Sequence, residues 1–584
     1  MKIPKISTFT KNMFLRQYMP ALIAALVYSV ADMADALVVG NSMGTVGLAA
    51  IAFSIPIFML FNVIMHSFGL GGSITFSSKM TEGKEKEAVS EFQGVLVTLL
   101  IIGAAIALLG NLFLDQILML LGASKDYDTL FIAAGTYLRL VLTAAPIFFF
   151  DYSMGYFMRN DDMEKAASIC SSIGSICDFS LNIVLVLFFG MGVKGAGLAT
   201  VSGVVISSIF QIIFMYIENK RLKLFPLKPS FKSVFSSFKT GIASCVSYIY
   251  SFIFIWLGNN AMMRLAGEAG VAVFDVVQNM SYFMAYIFGA ITMASQPIIS
   301  TYEGECNYEE CDKLQKNLIA ISVITTAVLV TIIGGFSPFI LRLFGIVERP
   351  TVIYGSFALR VFCVCILFAG LNIIYSNYYT SREIPFPAFL LSTLRGIAIL
   401  LPVMLVCIFL GKEAFWFTYP VTEVLSFVII LFYLSRMERN AKRVSKEKIY
   451  TTTLGGDTSQ IGTAVGEIEG FCERWEASPK QMYYVQMTVE EMCSAIMSNG
   501  FKEADRGKCN IQLTLVKKAE QDFSLHIRDN AHTFNPFDMS TKALKELEDA
   551  DSDFNALGMD IIKKKAKSFY YRRYQGFNTM VVRI

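Results

Sequence analysis

The stretch YMPALIAALVYSVADMADALVVG, residues 18–40, decides how this chain is read. It has no basic residue and two acids, Asp32 and Asp35. At about 1.5 Å per residue it is long enough to cross about 30 Å of hydrocarbon. It ends without a small-residue cleavage site and leads straight into another apolar run, so it reads as a first membrane span and not as a removable leader. Eleven more such runs follow. The predicted helices cover 18–40, 47–76, 92–114, 131–157, 165–189, 195–217, 242–266, 272–300, 316–340, 352–378, 386–410 and 414–435.

Composition agrees. Of 584 residues, 54% are hydrophobic and 17% charged, against about 25% charged in an ordinary soluble domain. The shortfall is confined to 18–435. A purely soluble enzyme, a coiled coil, a disordered scaffold and a secreted disulfide protein are thereby excluded. A net charge of +3 leaves no footprint for nucleic acid. The eleven cysteines form no CxxC and no Cys/His cluster, which predicts reduced thiols and no metal centre. With the N-terminus taken as cytoplasmic, Lys and Arg divide 24 to 6 between inner and outer segments. Both ends of the membrane region, and all that follows, are therefore expected in the cytoplasm.

The two halves repeat at an offset of 221: Arg139 falls on Arg360, and Thr81-Glu82-Gly83 on Tyr302-Glu303-Gly304. Six plus six spans at one offset make a parallel repeat, expected to form two lobes facing each other across the membrane normal. The expected class is an all-α membrane protein of twelve transmembrane helices in two pseudo-symmetric six-helix lobes, plus a cytoplasmic α/β sandwich domain. The divisions are an N-terminal lobe at 1–217, a linker at 218–240 that serves as hinge, a C-terminal lobe at 241–435, a basic juxtamembrane segment at 436–448 that suits anionic lipid, and the soluble domain at 449–584.

Four stretches carry a resemblance: Asp35-Ala-Leu-Val-Val-Gly40, Gly69-Leu-Gly-Gly-Ser73, Gly190-Met-Gly-Val-Lys-Gly-Ala-Gly-Leu-Ala-Thr200 and Gln296-Pro-Ile-Ile-Ser-Thr-Tyr302. On these, residues 18–435 resemble the multidrug and toxic compound extrusion (MATE) transporters. The resemblance implies an antiporter in a bacterial cytoplasmic membrane, coupled to a cation or a proton, that exports organic compounds, cationic and amphipathic. It implies no required cofactor, with Na⁺ or H⁺ as the coupling ion.

A carboxylate in mid-membrane costs about 2.5–3.5 kcal/mol and needs a reason. Asp32 and Asp35 share a face of the first helix at i,i+3, and Asp178 and Asn182 share one of the fifth at i,i+4. Both pairs lie at matching depths, so facing helices would build a carboxylate–amide cluster. Two acids and an amide in low dielectric can share a proton or offer oxygens to Na⁺. They can also be hydrogen-bonded groups that tie helices together. Relatives of this kind place the amide first in the fifth helix; here the order is Asp178 then Asn182. A second polar patch, Asn259, Asn260, Asp275, Gln278 and Asn279, is expected toward the outer ends on the substrate path. Its alternative is a solvated helix end.

In the soluble domain, helices are predicted at 457–475 and 479–499, strands at 509–517 and 522–530, and a loop with a helix at 535–550. A helix at 556–567 and strands near 568–574 and 577–583 complete it. Three stretches resemble anti-sigma-factor kinases and related histidine-kinase-type ATPases: Val489–Gly500, Ile527–Pro536 and Ala556–Ile562. The resemblance gives Glu491, Asp529 and Gly558 nucleotide-binding roles. It also sets Ala495 where the family holds Mg²⁺ with Asn, Ala531 where the adenine loop has Gly, and Ala556 in place of the first lid Gly. Alanine coordinates no metal, and lost glycines remove close approach to phosphate. Kinase or ATPase activity is expected to be absent or weak. Binding of ATP or ADP and binding of a cytosolic regulatory protein both stay open. Two other readings of the whole chain remain: a membrane-anchored regulator whose tail captures a sigma-factor-pathway or other cytosolic protein, and a lipid-linked oligosaccharide flippase.

Overall fold

The computed structural model describes residues 6–81, 84–218, 220–226, 229–440, 446–501, 509–519, 522–538, 554–574 and 577–584. Glu82 and Gly83 of the repeat, 441–445 of the basic segment, and 539–550 of the expected loop and helix lie outside the described residues.

Backbone N–H and C=O groups find no water in hydrocarbon, so an apolar chain of this kind crosses as helix. Among the described residues nine helices are long and apolar enough to span, and the bent pair Asp128–Thr143 and Ala145–Asn160, at 53°, forms another. Pro146 stands at the start of the second member, where its ring breaks the helical hydrogen-bond ladder. Two of the nine are double. Thr10–Met80 runs 71 residues and Cys245–Gly304 runs 60, each well over the ~20 residues of one crossing. The first leaves helical geometry at Gly44 (φ 61°) and the second at Gly267 (φ 64°), so each is a pair of spans joined at a glycine. Twelve crossings result.

The repeat is visible in the backbone. Asp162 (φ 60°) and Glu383 (φ 59°) lie 221 residues apart, as do Gly190 (φ 65°) and Gly411 (φ 109°). Gly44 and Gly267, and Gly122 and Gly345, lie 223 apart. Positive φ is uncommon outside glycine, so its recurrence at Asp162 and Glu383 marks the same turn built twice.

The lobes meet at both ends. Away from the soluble domain, Asn41 Nδ2 donates to Leu343 O at 2.6 Å, and Thr45 Oγ1 to Glu268 Oε1 at 2.5 Å. A Cβ on Gly345 would sit 1.9 Å from Gly40 O, so the two backbones touch. At the opposite end, each lobe's leading helix reaches the other lobe. Thr10 Oγ1 donates to Glu310 Oε2 at 3.2 Å, and Ser237 Oγ to Glu91 Oε1 at 2.6 Å. The expected linker at 218–240 needs correction. The chain is helical again from Phe231, and residues 221–226 are tied down. Asp161 Oδ2 accepts from Arg221 N and Leu222 N at 2.9 Å, and Gln93 Nε2 donates to Lys223 O at 2.8 Å. A segment pinned this way is not a loose hinge.

The soluble domain is a five-stranded antiparallel sheet: β1 (Ile449–Leu454), β2 (Ile511–Ala519), β3 (Asp522–Asp529), β4 (Ser568–Tyr574) and β5 (Phe577–Arg583), in the order β1-β2-β3-β5-β4. β1 was not among the predicted strands. Leu513, Leu515, Leu525, Ile527, Met580 and Val582 share a core with Ile468, Val485, Val489 and Ile496 of the helices Ser459–Arg474 and Pro479–Asn499. Strand alternation puts Gln512, Thr514, Ser524, His526 and Arg528 on the other face, and they are buried too. Where Arg528 emerges it meets the membrane region. It forms a buried ion pair with Glu305, just past the Phe231–Gly304 helix, and its guanidinium lies 5.3 Å from the centre of the Tyr302 ring. Phe577 of β5 joins the membrane region's apolar core.

Gly345→Ala is expected to lower the melting temperature of the purified protein, because the left-handed backbone alone costs about 1–2 kcal/mol and the added Cβ collides with Gly40. Gly289→Ala, whose Cβ meets no atom within 4 Å, is expected to melt no lower than wild type. Unchanged melting in Gly345→Ala would refute the backbone contact.

Candidate functional site

In the N-terminal lobe the helices Thr8–Ala52 and Glu164–Asn182 face each other. Asn182 Nδ2 donates to Asp35 Oδ1, while Thr200 Oγ1 at 3.2 Å and Tyr137 OH at 3.4 Å donate to Oδ2. Asp178 lies within electrostatic range of Asp35. Asp178 Oδ1 and Asn182 Oδ1 are enclosed and have no hydrogen-bond partner among the described residues. The group therefore offers unused oxygens beside an occupied carboxylate, which suits a proton or a small hard cation.

A cavity of about 430 Å³ adjoins this cluster, walled by Asp32, Asn62, Asp151, Asp178 and Thr200. Asp35 and Asn182 do not line it; Thr200 on the wall hydrogen-bonds to Asp35 behind it. Asp32 takes a different direction from Asp35: it accepts from Tyr286 OH of the other lobe. Asp151 accepts from Ser208 Oγ at 3.5 Å. Sequence reasoning missed Asp151, Thr200, Tyr137 and Tyr286. Asp151 was open to it, as an acid inside the run 131–157. The others carry no signal of their own, since a hydroxyl in a span is common.

The expected second patch is not one site. Asn259 Nδ2 donates to Ala52 O at 2.8 Å and Asn260 Nδ2 to Leu120 O at 3.2 Å, so both tie the lobes together at the end away from the soluble domain. Asp275 is buried against Asn279, whose Nδ2 lies 3.3 Å from Asp275 Oδ2. Gln278 accepts from Tyr419 OH at 2.6 Å and alone of the five lines a cavity, of about 690 Å³, within the C-terminal lobe. That cavity also holds an ion pair missed from the sequence. Arg395 Nε and Nη2 donate to Glu423 Oε1 at 2.9 and 2.7 Å, and Asn372 Nδ2 donates to Oε2 at 2.7 Å. Both charges stand inside predicted spans, which was the available signal.

In the soluble domain, Asp529 Oδ1 accepts from Asn578 Nδ2 at 2.7 Å and Ala531 N at 2.9 Å, and Oδ2 is enclosed without a partner among the described residues. Burial pushes the Asp529 carboxyl up to about 6, against the opposing pull of Asn578, Ala531 and Arg573. Burial and Glu490 likewise raise Glu491. Glu491 touches Gly558: a Cβ there would lie 2.5 Å from its carboxyl carbon. The stretch resembling a phosphate lid is helical, Phe554–Lys565. The free Asp529 Oδ2 fits the amino group of adenine. Ala495, buried, offers no oxygen for Mg²⁺. The adenine end of a nucleotide thus fits these residues, and the metal-bound phosphate end does not.

Comparison with known proteins matches residues 20–184 and 240–406 to the MatE family, and 456–584 to the histidine kinase-like ATPase domain family. The multidrug export protein MepA of Staphylococcus saprophyticus is 24% identical over 423 residues, 70% of this chain and 90% of that protein. The probable multidrug resistance protein YoeA of Bacillus subtilis is 21% identical over 434 residues, 71% of this chain and 91% of that one. Among solved structures, an inward-facing MATE family transporter of the MOP superfamily superposes with TM-score 0.64 at 20% identity, covering 71% of this chain and 96% of its own. An outward-facing one gives 0.55 at 20% identity, covering 75% and 99%.

A buried acid whose folded pKa is raised stabilises the fold below its unfolded value, and that contribution is lost as pH rises through the folded one. For Asp529 the window runs from about 4 to about 6. Denaturant unfolding of the soluble domain in the full chain, followed by Trp475 fluorescence, is expected to show greater stability at pH 4.5 than at pH 7.5, by on the order of 2 kcal/mol. Asp529→Asn is expected to flatten the difference; an unchanged pH profile in that variant would refute it.

Proposed function

The chain belongs to the MATE family, and we propose that it exports organic amphipathic compounds across a bacterial cytoplasmic membrane in exchange for H⁺ or Na⁺. The observation that carries this is the Asp35 cluster: a carboxylate held by Asn182, Thr200 and Tyr137, with the unpartnered oxygens of Asp178 and Asn182 beside it. A proton or Na⁺ arriving through the cavity neutralises one carboxylate and relieves repulsion between two. Asp32 touches Tyr286 across the lobe boundary, so events in this cavity adjoin a contact that must change when the lobes part. One charge moved through 100 mV supplies about 2.3 kcal/mol, which is nearly fifty-fold concentration work. Transport needs no ATP.

The tail acts as a regulator on the cytoplasmic side. The 24-to-6 division of basic residues supports that side. The buried Arg528–Glu305 pair supports a role turned toward the transporter itself, more than toward capture of a separate partner. Adenine nucleotide is the expected ligand at Asp529, bound without turnover because Ala495 holds no metal.

In proteoliposomes with an imposed pH or Na⁺ gradient, Asp35→Asn is expected to reduce uphill transport of a fluorescent organic cation to background while the protein remains folded and inserted. Retained uphill transport would overturn the ion-coupling reading. For the tail, Arg528→Glu is expected to alter the transport rate without changing which ion drives it, since losing one partner of a buried pair costs about 3–5 kcal/mol. The double variant Arg528→Glu/Glu305→Arg is expected to restore it. An Arg528→Glu rate equal to wild type would remove the regulatory role.

A further inference from the structure

The C-terminal lobe contains an ion pair that its fold does not require. Arg395 lies in the span Phe386–Leu410 and Glu423 in the span Ala414–Met437. Charges inside a membrane segment are expensive and mark ligand pathways unless they tie helices together. The internal repeat tests the second explanation. The turns Asp162/Glu383 and Gly190/Gly411 bracket Arg395 and precede Glu423, all at an offset of 221. At that offset the N-terminal lobe has Gly174 and Ser202. There the two helices close directly: a Cβ on Gly174 would meet Gly203 O at 2.9 Å and Ser207 Cβ at 2.8 Å. The same backbone arrangement therefore holds without charges, and the pair in the C-terminal lobe serves something else.

Its surroundings indicate what. Arg395 and Glu423 line the 690 Å³ cavity together with Ser251, Gln278, Tyr250 and Tyr419, a size typical of sites for organic ligands. Both Glu423 oxygens are used, by Arg395 and Asn372. Arg395 Nη1 has no partner among the described residues, and the side chain keeps 27% exposure. A planar guanidinium with a free edge matches a carboxylate in a two-point contact. We propose that this cavity recognises a carboxylate on transported compounds, which adds amphipathic acids and zwitterions to the substrate range. Arg395 binds the carboxylate, and the two tyrosine rings flank the apolar body. Glu423 is a positioning residue: it orients the guanidinium and keeps the empty site neutral in hydrocarbon.

The inference rests on the export reading for its meaning, but its test uses no gradient, so the two fail separately. Full-length protein in nanodiscs is titrated with N-dansyl-phenylalanine and with its methyl ester, by fluorescence. Wild type is expected to bind the acid about tenfold more tightly than the ester. Arg395→Gln is expected to abolish that preference while leaving ester affinity in place, and Arg395→Lys to recover part of it. Glu423→Gln, which frees the guanidinium, is expected to keep or increase the preference. Equal affinities in wild type would overturn the proposal. So would equal loss of both ligands in Arg395→Gln and Glu423→Gln with lowered melting temperatures, the signature of a structural tie. If Arg395→Gln does not fold, Arg395→Lys and Glu423→Gln still decide.

Discussion

An ionised side chain left alone in hydrocarbon costs about 2.5–3.5 kcal/mol on insertion scales, and that cost organises the membrane region. Several of the charged side chains within the spans sit against donors, against each other or on a cavity wall. Asp35 has three donors, Asp32 has Tyr286, Asp151 has Ser208, and Arg395 has Glu423. The backbone obeys the repeat closely, to the point of placing positive φ at Asp162 and again at Glu383. The charges that line the two cavities do not obey it. Acids gather in the N-terminal lobe, and the Arg395–Glu423 pair stands in the C-terminal one. A symmetric frame thus carries two chemically different cavities, one suited to a cation or proton and one to an anionic group.

Much of the frame was legible because its signal is long. A run of about 20 apolar residues has few alternatives, and twelve of them at one offset leave one architecture. Site geometry depends on finer things. Residues at i,i+3 share a helix face, yet they differ by about 60° in direction. That rotation suffices to send Asp32 toward Tyr286 and Asp35 toward Asn182. Asn259 and Asn260 read as substrate contacts because polar residues in a span invite that reading. In the structure they meet the carbonyls of Ala52 and Leu120, backbone acceptors near breaks in the facing lobe's helices. No pattern in one segment announces a bare carbonyl in another. The linker was read as a hinge for a related reason: no pattern within 218–240 shows that Asp161 and Gln93, distant in sequence, hold its backbone at 221–223.

The soluble domain shows the same division. Its strands and helices followed from alternation and helical periodicity, except β1, whose six residues adjoin a basic run and give too short a pattern. The lid-like stretch is the start of the helix expected at 556–567, which runs Phe554–Lys565. Ala556 in place of glycine favours that state by about 1 kcal/mol, and Gly558, the glycine that remains, is used for contact with Glu491.

One strand joins the two halves of the molecule. Successive side chains on β3 point to opposite faces of the sheet. Asp529 therefore faces the helices, with its unpartnered oxygen among the described residues, while Arg528, one peptide bond away, faces Glu305 and Tyr302 at the end of a membrane helix. The same pairing recurs on β5, where Asn578 holds Asp529 and the adjacent Phe577 enters the membrane core. Neither contact can shift by much alone, because β3 and β5 are hydrogen-bonded in register from Ser524–Arg583 to Asp529–Asn578. A ligand that displaced the end of this ladder would act on Asp529 and on the membrane contact at once, with no intervening chain of side chains to transmit it. The fusion of the two domains is thus more than a tether: the strand end that carries Asp529 on one face forms the contact with the membrane region on the other.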